Sequence, residues 1–192
     1  MKDPAYPLRS ALVSILFFVA ACSGPARDAV RRDIAAHPAS GHYLPDVPFF
    51  PQNNHRCGPA SLASVLNFLG ASVTMDETAQ AIYNERISGA LPIDMLAAAK
   101  EAGFEAHWYN GGFGDLRRKI DEGAPLILFL NMGYNLYPSG HYIAVVGYDD
   151  NLKVVLAHSD MEEEAVFTYG ELSKAWGKTG YSTLLVRQRA SE

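Results

Sequence analysis

Between residues 58 and 122 the apolar side chains recur every three or four positions; beyond residue 124 they gather into short β-branched and aromatic stretches. The first pattern predicts helices. Leu62, Val65, Leu66 and Leu69 give one over 58–69, with Pro59 in its first turn and Gly70 at its end. Thr74 followed by Glu77 reads as a capping box opening a second, with Ala79, Ile82 and Tyr83 on its apolar side. A third follows Pro92 and closes at Gly103, and 114–122 gives a short one ending at Gly123. The second pattern predicts strands at 125–131, 141–149, 153–159 and 164–169, after an earlier one at 104–109. Asp149-Asp150-Asn151 reads as the turn of a hairpin. A helix around ELSKAW and a strand over YSTLLVRQ complete the chain. Helices first and mostly antiparallel strands afterwards is an α+β layout.

The N-terminal region follows neither pattern. Lys2 and Arg9 precede the apolar run ALVSILFFVAA, which is too short for a spanning helix of roughly 18 residues. It has the form of a secretory signal over residues 1–21. Residues 23–46 are small, polar and dotted with proline, the composition of a tether with one helical turn. The expected organisation is a signal at 1–21, Cys22 and a tether over 22–43, and one domain over 44–192.

Composition narrows the classes. With 192 residues, 48% hydrophobic and 19% charged, the chain has material for a real core. The net charge of −5 and the lack of a basic block argue against nucleic acid as a partner. Removal of residues 1–21 takes away Lys2, Arg9 and Asp3 and leaves −6.

Val19-Ala20-Ala21-Cys22 resembles the lipobox of bacterial lipoproteins. The resemblance implies cleavage before Cys22, acylation of its thiol and anchoring in a membrane. Ser at position 23, by similarity to lipoprotein sorting in Gram-negative cells, implies the outer membrane, facing the periplasm. Cys57 is then the one free thiol, with no partner for an intramolecular disulfide.

Cys57 stands directly before Gly58-Pro59, at the start of the first helix, where orphan N–H groups favour a thiolate. Among six histidines, His141 begins a strand straight after the loop NMGYNLYPSG, at the mouth of a cleft, and is the candidate base. The 153–159 strand should pair back onto it and bring His158 and Asp160 near. Two residues apart, they share one face of a regular strand. Asp160 is the better orienter of the ring and His158 the alternative. Gln52 could donate its side-chain amide to an oxyanion, beside the Cys57 N–H. No CxxC or HxxxH spacing supports a metal site, and GGFG at 111–114 lacks the ending of a phosphate loop. Neither metal nor cofactor is expected.

VPFFPQ, CGPASLASVLNFLG and GHYIAVVGYDD together resemble the bacteriocin-processing peptidases, papain-like enzymes of which some cut leaders after Gly-Gly. The resemblance spans about 44–187. It implies a papain-like fold, the helical half carrying the cysteine and the antiparallel sheet carrying the histidine and aspartate. It implies Cys57 as nucleophile, His141 as base, Asp160 as orienter and Gln52 at the oxyanion. The family's Asp-Pro after the second strand is replaced by Ala157-His158-Ser159-Asp160, with the aspartate displaced by about two residues. The expected activity is hydrolysis of a peptide or protein substrate through an acyl-enzyme. A thiol acyltransferase or amidase on the same fold and a silent peptide-binding module are the alternatives.

Overall fold

The computed structural model describes residues 25–52, 55–134 and 136–189. The expected signal over 1–21 and the acylation site Cys22 lie outside the described residues. No described helix is long and apolar enough to cross a membrane.

The helical half follows the pattern of the sequence. α2 (Cys57–Phe68), α3 (Met75–Ile82), α4 (Pro92–Glu101) and α5 (Phe113–Asp121) each fall within a residue or two of the expected spans. The capping box at Thr74 and Glu77 forms as the spacing predicts. A second one, Thr168 with Glu171, opens α6 (Tyr169–Gly177).

The strands are β4 (Glu105–Asn110), β5 (Leu126–Asn131), β6 (Gly140–Asp149), β7 (Val154–Ser159), β8 (Glu162–Thr168) and β9 (Ser182–Arg187). They form one antiparallel sheet in the order β4-β9-β5-β6-β7-β8. At the β6–β7 turn, Asp149 Oδ1 accepts from the N–H groups of Asn151 (2.8 Å) and Leu152 (3.0 Å), the local bond that makes aspartate a turn former.

Helices cover both faces of this sheet. Ile127, Tyr142, Ala144, Leu184 and Val186 pack with Leu62, Val65 and Met95 of α2 and α4. The alternate residues, Leu126, Leu128, Leu130, Ile143 and Val145, pack with Leu116, Ile120, Leu172 and Trp176 of α5 and α6. A strand buried on both faces is apolar at every position, so PLILFLN and IAVV run on without polar alternation.

One expectation is overturned. Much of the stretch read as a tether belongs to the folded unit: α1 (Arg27–Ala36) buries Val30 and Ile34 in the second of these cores, and β1 (Gly41–Tyr43) pairs with the end of β6 that extends past β5. Only two positions of α1 are buried, so its polar composition hid a helix stabilised by tertiary contacts. A two-stranded ribbon of β2 (Tyr83–Asn84) and β3 (Gly89–Ala90) was likewise invisible to pattern.

Candidate active site

Cys57 is the first residue of α2, and its position is set by its neighbour. A Cβ on Gly58 would stand 2.7 Å from the Cβ of Ala90 and 3.4 Å from the Tyr142 ring. Only glycine lets the helix start close against β3 and β6. Tyr142 fixes the other side of that contact, donating its hydroxyl to Ala90 O at 3.0 Å. The thiol thus comes to face the backbone amides of Tyr142, Gly58 and its own residue. These pull its pKa down, but burial acts more strongly and pushes it up, with the Asp160 carboxylate adding to the rise. The depressed thiol expected from a helix N-terminus is therefore not what the free protein holds.

His141 lies second in β6. Its Nε2 is 2.9 Å from Ser159 Oγ and 3.7 Å from Asp160 Oδ2. Burial lowers the pKa of the ring and the Asp160 carboxylate opposes that. The nitrogen Nε2 is occupied by Ser159, which leaves Nδ1 as the nitrogen available to a thiol.

Asp160 heads the two-residue connection between β7 and β8, in the left-handed region at φ 50°. Its Oδ1 accepts from Gln52 Nε2 at 2.6 Å, and its carbonyl accepts from the Gln52 N–H at 3.0 Å. Gln52 is thereby pinned, buried, at the same end of the sheet. An amide carries two N–H donors, so one remains when Asp160 takes the other.

His158 is corrected. It lies on the face of the sheet opposite His141 and is no orienter of that ring. Its Nε2 donates to Val47 O at 2.9 Å, and its Nδ1 accepts from the Glu164 N–H at 3.3 Å. Both ring nitrogens are thus engaged in the body of the protein, and burial lowers the ring's pKa. The cause is register: His158 pairs with Ala144 on the α2 side of β6, while His141 lies with Ile143 on the other face, so ordinary alternation turns His158 away from it. Ser159, the next residue of β7 and one that no pattern in the sequence singles out, takes the other face and meets the imidazole.

Cys57, His141, Gln52, Ser159 and Asp160 all line one cleft of about 580 Å³. Met132, Met161 and Phe167 give it apolar walls, with the Glu162 carboxylate at its rim. A thiol, an imidazole held by a hydroxyl and a carboxylate, and a buried amide beside first-turn N–H groups are the parts that acyl transfer through sulfur requires. Among the described residues no three of His, Cys, Asp and Glu gather as a metal site would need.

Comparisons with known proteins agree with this geometry. The sequence profile of the Peptidase_C39 like family matches residues 44–184. No curated protein matches the chain. Among solved structures, the fold is similar to that of a proposed C39-like peptidase from Bacillus anthracis, at 17% identity and a TM-score of 0.62, over 79% of this chain and 99% of that one. It is similar to a double glycine motif protease from an AMS/PCAT transporter in complex with its leader peptide, at 19% identity and a TM-score of 0.59, over 77% and 95%. It is also similar to xylellain, a cysteine protease from Xylella fastidiosa, at 14% identity and a TM-score of 0.57, over 79% and 87%. The papain-like arrangement, a helix bearing the cysteine against an antiparallel sheet bearing the histidine, is common ground. The chain belongs to the Peptidase_C39 like family and is a cysteine peptidase.

Proposed function

We propose that Cys57 is the nucleophile and His141 the base of a peptidase that works through an acyl-enzyme. The observation that carries this is the single cleft shared by the thiol, the imidazole and the hydrogen-bonded pair Gln52–Asp160. Sγ attacks the carbonyl carbon as its proton passes to His141 Nδ1. The imidazolium formed donates from Nε2 to Ser159 Oγ, with the Asp160 carboxylate beside it. The oxyanion takes the free N–H of Gln52 and the N–H of Cys57. When the C–N bond breaks, the amine leaves with the imidazolium proton. Water then attacks the thioester, His141 accepts its proton, and Cys57 is released. With burial holding the thiol up and the ring down, the resting pair is neutral, and charge separates as the substrate reacts.

A peptide or protein is the substrate of this reading. The leader peptide bound to the transporter protease of the same fold supports that class. The enzyme is secreted through residues 1–21 and held by lipid on Cys22, in the cell envelope, at the outer membrane facing the periplasm. The support is the run ALVSILFFVAAC and the Ser at position 23.

The test is digestion of a proteome-derived peptide library in H₂¹⁸O, with the Cys57→Ala protein as control. New carboxyl termini carrying ¹⁸O, absent with Cys57→Ala, are expected. Acyl products without ¹⁸O would turn the reading to acyl transfer, and products unchanged by Cys57→Ala would end it. Metabolic labelling with an alkynyl fatty acid, lost in Cys22→Ala, tests the anchor.

A further inference from the structure

Nine large apolar side chains are exposed among the described residues, and five of them, Met132, Tyr134, Leu136, Tyr137 and Met161, sit at one end of the sheet. That end carries the β5–β6 connection and the β7–β8 turn, and it is the end at which the cleft opens, since Met132 and Met161 both line it. Tyr134, Leu136 and Tyr137 are 83%, 87% and 80% exposed within one short loop, a grouping of exposed apolar side chains that marks an interaction site. Tyr134 and Tyr137 pair across the loop, so it is a built projection. Lys178 anchors it by donating Nζ to Gly133 O at 2.6 Å. Lys174 lies in the same shallow depression as Tyr134 and Lys178. The Glu171 carboxylate found there is engaged in the cap of α6.

The first described residues are at this end too. Pro25, Ala26 and Arg27 border a hollow whose other wall is Glu162 to Val166 of β8. Glu162, Ala165 and Val166 line the cleft as well. Arg27 lies 3.7 Å from Glu163 and offsets its charge. Cys22 precedes Pro25 by three residues, a reach of at most about 11 Å when extended. Acyl chains on Cys22 would therefore keep the β8 side of the cleft close to the lipid surface.

We propose that the cleft end of the sheet is a membrane-facing surface: Tyr134, Leu136 and Tyr137 enter the interfacial layer of the bilayer, Lys174 and Lys178 meet lipid phosphates, and the cleft opens along the membrane. This rests on the lipid anchor at Cys22 proposed above. The chemistry suits the occupant. Tyrosine rings favour the layer between acyl chains and water, and lysines extend their ammonium groups to its phosphates. Substrates then reach Cys57 from the lipid surface, and peptides held on a membrane are the favoured class.

The test uses the full chain, purified from membranes and reconstituted into vesicles of phosphatidylethanolamine and phosphatidylglycerol with or without brominated acyl chains. Leu136→Trp places a fluorophore in the loop. Leu152→Trp places one at the β6–β7 turn, the opposite end of the sheet, where Leu152 is also exposed. Bromine is expected to quench the emission that Leu136→Trp adds over the native tryptophans, by about twofold or more, and to leave that of Leu152→Trp unchanged. Mass spectrometry of the Cys22 peptide reports the anchor separately. Acylated, vesicle-bound protein with no quenching at 136 overturns the surface and leaves the anchor standing. In that case a raised KM of Leu136→Trp on a soluble peptide would assign the loop to substrate. Protein without lipid on Cys22 that fails to bind vesicles overturns both.

Discussion

Ser159→Ala isolates the contact that the sequence did not reveal. The serine hydroxyl lies 2.9 Å from His141 Nε2. With a neutral ring that bond is worth about 0.5–1.5 kcal/mol, and with an imidazolium about 1.5–3 kcal/mol. The serine therefore favours the state in which His141 holds the thiol proton by about 1–1.5 kcal/mol, the difference between the two. That corresponds to a loss of about 5- to 15-fold in kcat/KM on a peptide from the library, most of it in kcat. Asp160 acts on the same ring across 3.7 Å, but its side chain is 66% exposed, which places the attraction near the water-like limit of about 1 kcal/mol. Because both groups act on one imidazole, Ser159→Ala and Asp160→Ala combined should depart from additivity. Ser159→Thr, which keeps the hydroxyl, should recover most of the rate. A Ser159→Ala enzyme within twofold of the wild type would refute this reasoning.

Asp160→Asn should move the whole pH profile of kcat/KM toward acid, because the carboxylate raises both the His141 ring and the Cys57 thiol; a move toward base would contradict that placement. Gly58→Ala should lower activity through geometry, since its methyl would meet Ala90 at 2.7 Å and push the start of α2 from β6; a crystal structure would report a displaced thiol, and full activity with an unmoved helix would refute the packing argument. His158→Ala should cost about 2–5 kcal/mol in urea denaturation, through loss of the partners of Val47 O and the Glu164 N–H. Burial holds the His158 pKa below its unfolded value of about 6.5, so the wild type should lose stability as pH falls from about 6.5 toward the folded pKa, and the variant should lose less over that interval.

What the sequence made legible follows from what each signal depends on. The apolar spacing of α2, the Thr74–Glu77 box and the doubly buried runs of β5 and β6 are local or nearly so, and they lie where expected. Cys57, His141 and Gln52, which share one cleft, stood out because each sits beside a break in pattern: a helix start, a strand start, a proline-rich approach. α1 and β1 were hidden because their stability comes from β6 and β8 rather than from their own composition. The wrong candidate, His158, came from counting residues to Asp160 without the β6–β7 register, which sets His158 on the face opposite His141. Ser159 was missed because only that register, a tertiary property, puts it on the face of His141. The expected low thiol pKa considered the helix N-terminus alone; burial, a tertiary property, outweighs it.

The central claim is that Cys57, activated by His141, forms the covalent bond to substrate. Intact-mass kinetics with a peptidyl chloromethyl ketone, built on a sequence cleaved in the library, test it most directly. The account predicts one adduct per chain, mapped to Cys57, with a rate at least about a hundredfold slower in His141→Ala. Adduct formation at equal rates in the two proteins, or at a residue other than Cys57, would contradict it.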